Sequence, residues 1–331
     1  MNKIFCFGEI LLRLSPTGGS ESFEQNLMPV YVGGAELNAA HALSLWKLPV
    51  KFCTAMPDNF LTESIRKYLE HKEIDTSAIV HIGERLGIYY LEQGKDMKNT
   101  GVVFDRAGSS FAELRPGIIN WQAVLKEVSW FHFSAIAASL TNNAAAVCLE
   151  AVEAANDLGI TISVDLNYRE KLWQYGKKPV DIMPELVKYC DVMMGNIWAV
   201  ESLLGLASPI KESMDKSEND LIDAAAKSIN EIHLTYPKVQ TIAFTYRLVD
   251  KYFAVIENES ETLISKTFKL FNVIDKVGSG DCFMAGLIYG LYKKHSLQQV
   301  VDFAATAAVG KLYEKGDTTK QSIEEINKRI L

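Results

Sequence analysis

The sequence has no long hydrophobic run, no excess of positive charge and no paired-cysteine motif. No apolar stretch approaches the roughly 20 residues that a membrane-spanning helix needs. The apolar start Ile4-Phe5-Cys6-Phe7 is too short for the core of a secretory signal, and Glu9 follows it closely. A soluble, cytoplasmic protein is therefore expected. Lys and Arg number 34 against 41 Asp and Glu, a formal net charge of −7. That balance argues against a general affinity for nucleic acid or for an anionic membrane, although a local basic pocket is compatible with it. The five cysteines (Cys6, Cys53, Cys148, Cys190 and Cys282) are scattered, odd in number and never spaced as C-x-x-C. They read as small core residues in a reducing compartment rather than as disulfides or zinc ligands.

Three common nucleotide-binding signatures are also missing. There is no G-x-x-x-x-G-K-[ST], which excludes a P-loop enzyme. There is no H-R-D or D-F-G set, which excludes a protein kinase. Gly278-Ser279-Gly280 lacks the third glycine of a dinucleotide fingerprint and falls late in the chain.

What is present is ample material for a core, with 48% of the 331 residues hydrophobic. Short apolar runs of the kind shown by buried parallel strands occur at Ile4–Phe7, Lys51–Ala55, Trp130–Ser134, Thr161–Asp165, Asp191–Gly195 and Thr241–Thr245. Helical periodicity occurs at Glu36–Trp46, Leu61–His71, Asn142–Leu158, Met183–Cys190 and Leu221–Ile232. The alternation predicts a mostly parallel sheet covered by helices on both faces. Two regions break it. Leu11–Val32 lacks a clear helix, and 87–106 reads as a hairpin with strands Ile88–Glu92 and Val102–Asp105 around a polar turn, Gln93–Thr100. These pieces form either a small accessory sheet acting as a lid or an ordinary surface excursion. Pro209–Asp220 reads as a solvated loop.

One loop carries a chemical signal. Gly278-Ser279-Gly280-Asp281 runs directly into a helical pattern. Glycines let the backbone approach an anion closely, and the first N–H groups of a helix are unpaired. The helix start carries roughly half an elementary positive charge. Together these features suit a phosphoryl group in transfer. A carboxylate at Asp281 would repel a phosphate. It reads either as a helix N-cap or as a base that takes the proton of an attacking hydroxyl.

Asp275…Gly278-Ser279-Gly280-Asp281 resembles the C-terminal D-T-x-G-A-G-D signature of the ribokinase-like (PfkB) carbohydrate kinases. Gly33-Gly34-Ala35-Glu36-Leu37-Asn38-Ala39-Ala40 resembles that family's N-terminal G-G-x-x-x-N-x-A signature. Order and separation match, and the likeness spans essentially the whole chain. Within the family the sequence is similar to 2-keto-3-deoxygluconate kinases. The strings that carry this are Gly8–Pro16, Val103–Ser109, Asp165–Arg169 with Leu172-Trp173, and Thr245-Tyr246-Arg247.

The resemblance implies a single ribokinase-like α/β/α domain over 1–331, with a β lid from about 11–32 and 87–110. It implies ATP and Mg²⁺ as cofactors, and transfer to the terminal primary hydroxyl of a sugar acid. Asp281 would be the base, with Gly278, Ser279 and Gly280 stabilising the transferred group. Glu9, Gly33, Gly34, Asn38, Tyr90, Phe104, Arg106 and Arg169 would bind the sugar. Asn196, Thr245, Arg247, Gly278, Gly280 and Gly316 would face the nucleotide, and no residue is assigned as a direct metal ligand. The two arginines suit a carboxylate, which a guanidinium grips in a two-bond fork; read without the resemblance, they are surface ion pairs.

A homodimer joined through lid sheets fits the same family. The chain departs from the pattern at Lys276, where the family has Thr, and at Ala199, where an Asn-x-x-Glu string would place Glu. Phe104 stands where close relatives often have Tyr. A neutral-sugar kinase and a non-catalytic sugar sensor are the alternatives.

Overall fold

The computed structural model describes residues 2–17, 20–93, 101–211, 216–258 and 261–330. Strand Lys3–Phe7 lies within a ten-stranded sheet. Six neighbouring pairs in this sheet are parallel, running from Thr241–Arg247 through Val192–Gly195, Thr161–Asp165, Val128–Ser134, Lys3–Phe7 and Val50–Cys53 to Ile74–Asp75. Lys251–Glu257 and Thr262–Ile264 add antiparallel strands at one edge. This is the mostly parallel sheet between helical layers that the strand–helix alternation predicted, and it agrees with the α/β/α architecture that the resemblance implies.

The strand alternation decides which side chain enters which layer. Phe5 and Phe7 point into one apolar core with Phe131 and Phe133. Ile4 and Cys6 point into the other core with Leu37, Leu43 and Phe283. Successive side chains leave opposite faces of a strand, so a run apolar at every position needs helices on both sides.

The second core brings two helices tightly together. In Ser279–Tyr292, a β-carbon on Gly286 would lie 2.6 Å from the Ala304 backbone, and one on Gly290 would meet Val300 at 2.8 Å. The Ala-rich helix Leu297–Lys311 therefore packs nearly backbone to backbone against the helix that begins at the glycine loop.

A separate four-stranded sheet has the order Val30–Gly33, Leu11–Leu14, Gly87–Leu91 and Val102–Asp105. The predicted hairpin is thus a pair of strands within this sheet, and its turn at 94–100 lies outside the described residues. One short helix, Glu21–Glu24, interrupts the segment expected to lack any, while Gly18 and Gly19 lie outside the described residues.

Several predicted boundaries move. The helix expected at Met183–Cys190 runs over Pro179–Val187, because Pro179 suits its first turn. The loop predicted to reach Asp220 ends earlier, since Ser217 caps a helix over Glu218–Thr235; residues 212–215 of that loop lie outside the description. Strand Thr241–Arg247 runs two residues further than expected and carries Arg247 as its last residue. Among the described residues no helix is long and apolar enough to cross a membrane.

Candidate active site

One cleft opens between the four-stranded sheet and the C-terminal ends of the parallel strands, where doubly wound sheets hold their ligands. Its lining joins residues more than 300 positions apart in sequence, from Glu9 to Asp317.

Gly278 is in the left-handed conformation, φ 76°, and helix Ser279–Tyr292 starts immediately after it. A β-carbon at Gly278 would sit 1.8 Å from the Asp317 carbonyl oxygen, so no other residue fits there. Asp281 falls in the first turn and is buried. Its Oδ2 accepts a hydrogen bond of 2.6 Å from Asn38 Nδ2, brought by helix Ala35–Leu45. The two family-like strings therefore meet through one hydrogen bond. Asn38 Oδ1 is buried and has no hydrogen-bond partner among the described residues, an acceptor suited to a ligand hydroxyl.

Burial pushes the Asp281 carboxyl up to about 6, against the Asn38 hydrogen bond and the nearby Arg169 charge, both of which lower it. Asp165, at the end of its strand, is raised well above the carboxylate range by burial and by Asp281. Burial also brings Glu36 to about 7, although it accepts from the Ser134 backbone N–H at 3.0 Å. Five acidic residues thus line one cleft, Glu9, Glu36, Asp165, Asp281 and Asp317, and burial raises the carboxyls of Glu36, Asp165, Asp281 and Asp317.

Arg106 and Arg169 both line the cleft, as do Gly34 and Phe104. Arg106 follows strand Val102–Asp105 and is buried against Glu9, its Nε donating to Oε2 at 2.6 Å. Ser109 donates its hydroxyl to the other Glu9 oxygen. Arg169 donates from Nη1 to the Tyr168 carbonyl at 2.9 Å. Glu9 therefore sits in the cleft wall as the buried counter-charge of Arg106.

On the other side of the cleft lie Asn196, Thr245, Arg247, Lys276, Ser279 and Gly280. Asn196 caps helix Ile197–Leu204 by accepting from the Ala199 N–H at 2.9 Å. Glu201 is exposed and outside the cleft, so it does not take over the position that Ala199 leaves without a carboxylate.

Three expected residues sit elsewhere. Strand alternation gives the cleft Tyr89, which pairs in register with Phe104; Tyr90 shares the opposite face with Val103. Gly33 is not part of the lining and abuts the Asp317 carboxylate, since a β-carbon there would be 2.3 Å from Oδ2. Gly316 donates its N–H to Asp275 Oδ2 at 3.1 Å and packs beside the Tyr31 ring.

The sequence reading did not foresee how several buried polar groups pair. Arg13, Tyr89 and Asp317 form a buried polar cluster beside the loop. Lys311 is fully buried, donates to the Glu314 carbonyl at 3.2 Å and has its pKa lowered by burial. Only the buried charges themselves signal such groups, and charge does not reveal burial before the fold is known.

A glycine turn at a helix start, an ionisable carboxyl beside it and a wall of hydroxyl-seeking groups define a sugar-kinase cleft in a ribokinase-like fold. The profile of the pfkB family carbohydrate kinases matches residues 1–324, and the chain belongs to that family. It is 32% identical to the crystallised 2-dehydro-3-deoxygluconokinase of Thermotoga maritima, with a TM-score of 0.88, covering 100% of this chain and 99% of that one. It is 23% identical over 326 residues to the 2-dehydro-3-deoxygalactonokinase of Haloferax volcanii, covering 98% of this chain and 96% of the relative. A fructokinase from Xylella fastidiosa solved with bound ATP shares the fold at 18% identity and a TM-score of 0.77, covering 99% of this chain and 98% of that one.

Proposed function

We propose that this enzyme transfers the γ-phosphoryl group of ATP to the terminal primary hydroxyl of a sugar acid, 2-keto-3-deoxygluconate, giving its 6-phosphate. The observation that carries the reading is the cleft's pairing of Asp281 with two arginines, Arg106 and Arg169. The full-length likeness to the Thermotoga enzyme supports the same substrate.

In this reading Asp281 accepts the proton of the attacking hydroxyl, and Asn38 holds that carboxylate in place. The N–H groups that open helix Ser279–Tyr292 bind the transferring group. Arg169 and the outer edge of the Arg106 guanidinium receive the sugar carboxylate. The four-stranded sheet acts as a lid over a single kinase domain, excluding water as Phe104 and Tyr89 cover the sugar. ATP, with Mg²⁺ on its phosphates, supplies the phosphoryl group. The ion would ride on the nucleotide phosphates, with polar cleft groups such as Asn196 near its waters.

A second reading, a neutral-sugar acceptor, is favoured by one contact: Glu9 already neutralises Arg106. ATP-dependent turnover on a panel of sugars and sugar acids separates the two. The acid should be phosphorylated best, and Arg169→Ala should raise its KM at least tenfold while leaving that of ATP within about threefold. Equal turnover of fructose or ribose would overturn the acid assignment.

A further inference from the structure

The cleft's two walls are joined by one buried side chain that the reaction scheme above leaves unused. Arg13 comes from strand Leu11–Leu14 of the small sheet and is 2% exposed. Its Nη1 and Nη2 grip Asp275 at 3.2 and 2.7 Å in a two-bond fork. Its Nε lies 2.9 Å from Asp317 Oδ1, a close ionic contact off the line of a hydrogen bond. The neighbouring strands hold the same cluster. Tyr89 donates its hydroxyl to Asp317 Oδ2 at 2.8 Å, and the guanidinium lies 4.4 Å from the centre of the Tyr31 ring. In register, Tyr31, Arg13 and Tyr89 stand side by side on the face turned toward the cleft.

The two carboxylates are not general anchors. Asp275 accepts the Val277 N–H at 3.1 Å and the Gly316 N–H at 3.1 Å, which ties the turn before Gly278 to the loop after helix Leu297–Lys311. The backbone of Asp317 is the surface against which Gly278 packs. Both supports of the anion-binding turn therefore end on Arg13. A guanidinium can span two carboxylates because its donors form a fixed fork, whereas an ammonium is a point charge.

We propose that Arg13 is a positioning residue for phosphoryl transfer, a charged staple from the small sheet that fixes the Asp275 and Asp317 supports of the Gly278–Asp281 turn. It touches neither sugar nor nucleotide; it sets the place of the helix-start N–H groups and of the Asp281 carboxylate. A shift of about 1 Å in such groups costs on the order of a hundredfold in rate. The staple also makes the shape of the donor-side loop depend on the seating of the small sheet. The inference rests on Asp281 as the base, which Asp281→Asn tests separately.

The experiment compares Arg13→Lys, Arg13→Met and the charge-balanced Arg13→Met/Asp317→Asn, using whichever sugar or sugar acid the wild-type enzyme turns over best. Arg13→Lys keeps the buried positive charge. It is expected to fold, with a Tm within a few degrees of wild type, and to lose at least tenfold in kcat while both KM values stay within about threefold. Arg13→Met/Asp317→Asn should fold and show the same kcat loss. Folded variants with kcat within twofold of wild type would overturn the proposal. So would a loss that falls on KM alone, or failure of both Arg13→Lys and the double variant to fold, which would make Arg13 a residue of stability only. Near-normal turnover by Asp281→Asn would instead remove the base assignment without touching the kcat comparison at Arg13.

Discussion

Asp281 shows how one residue changes meaning with its surroundings. In the sequence it reads equally as a helix cap. In the folded protein it caps nothing: the helix starts at Ser279 after Gly278, and the Asp281 carboxylate instead accepts from Asn38. Its pKa of about 6 sets the sign of the pH dependence. A base works only when ionised, so kcat/KM should be full well above pH 6 and fall as pH drops through it, in a pH-rate profile on the free enzyme. Asp281→Asn should lose about 10²–10⁴-fold in kcat with ATP binding retained, by single-turnover and equilibrium-binding measurements. Asp317 raises the Asp281 pKa through its charge. Asp317→Asn should therefore move the acid limb to lower pH, and a limb that stays put or rises would show that Asp317 is not felt by the base.

At the scale of elements, the site depends on where helices begin and how closely they approach. Helix Ser279–Tyr292 can point its first N–H groups into the cleft only because Gly278 adopts φ 76° against the Asp317 carbonyl. Gly278→Ala should fold with reduced stability and lose most of its kcat, since both the left-handed strain and the 1.8 Å overlap act on the turn itself. Thermal melting and steady-state kinetics on the same preparation check this, and a variant with wild-type kcat would contradict it. The small sheet is an element pair with two faces. Tyr89 and Phe104 are directed to the cleft, while Tyr90 and Val103 are directed away. That period-2 choice was invisible without the register, because 87–91 is apolar or aromatic at every position after its first glycine.

At the scale of the molecule, the outward face of the small sheet carries Val30, 56% exposed, and Val103, 60% exposed. Phe23 and Leu27, near that sheet in sequence, are exposed as well. We propose that this face joins two copies in a homodimer, as apolar sheet faces seldom stay open to water. Light scattering should give twice the chain mass of 36.9 kDa, and Val103→Asp should shift the protein toward monomer. A wild-type monomer would remove the idea.

The sequence by itself determined the layered sheet, because strands apolar at every position have no stable home except between two helical layers. It also determined the family and the glycine turn at a helix start, because glycine geometry and helix-start charge are local properties, while the role of Asp281 stayed open between cap and base. Tertiary structure alone decided which charges are buried and paired. Arg13 meets Asp275 across more than 260 positions, and Glu9 meets Arg106 across almost 100. Such pairs follow from how sheet, helix and loop are stacked, and the energy that selects them exists only once water has been excluded from the space between them.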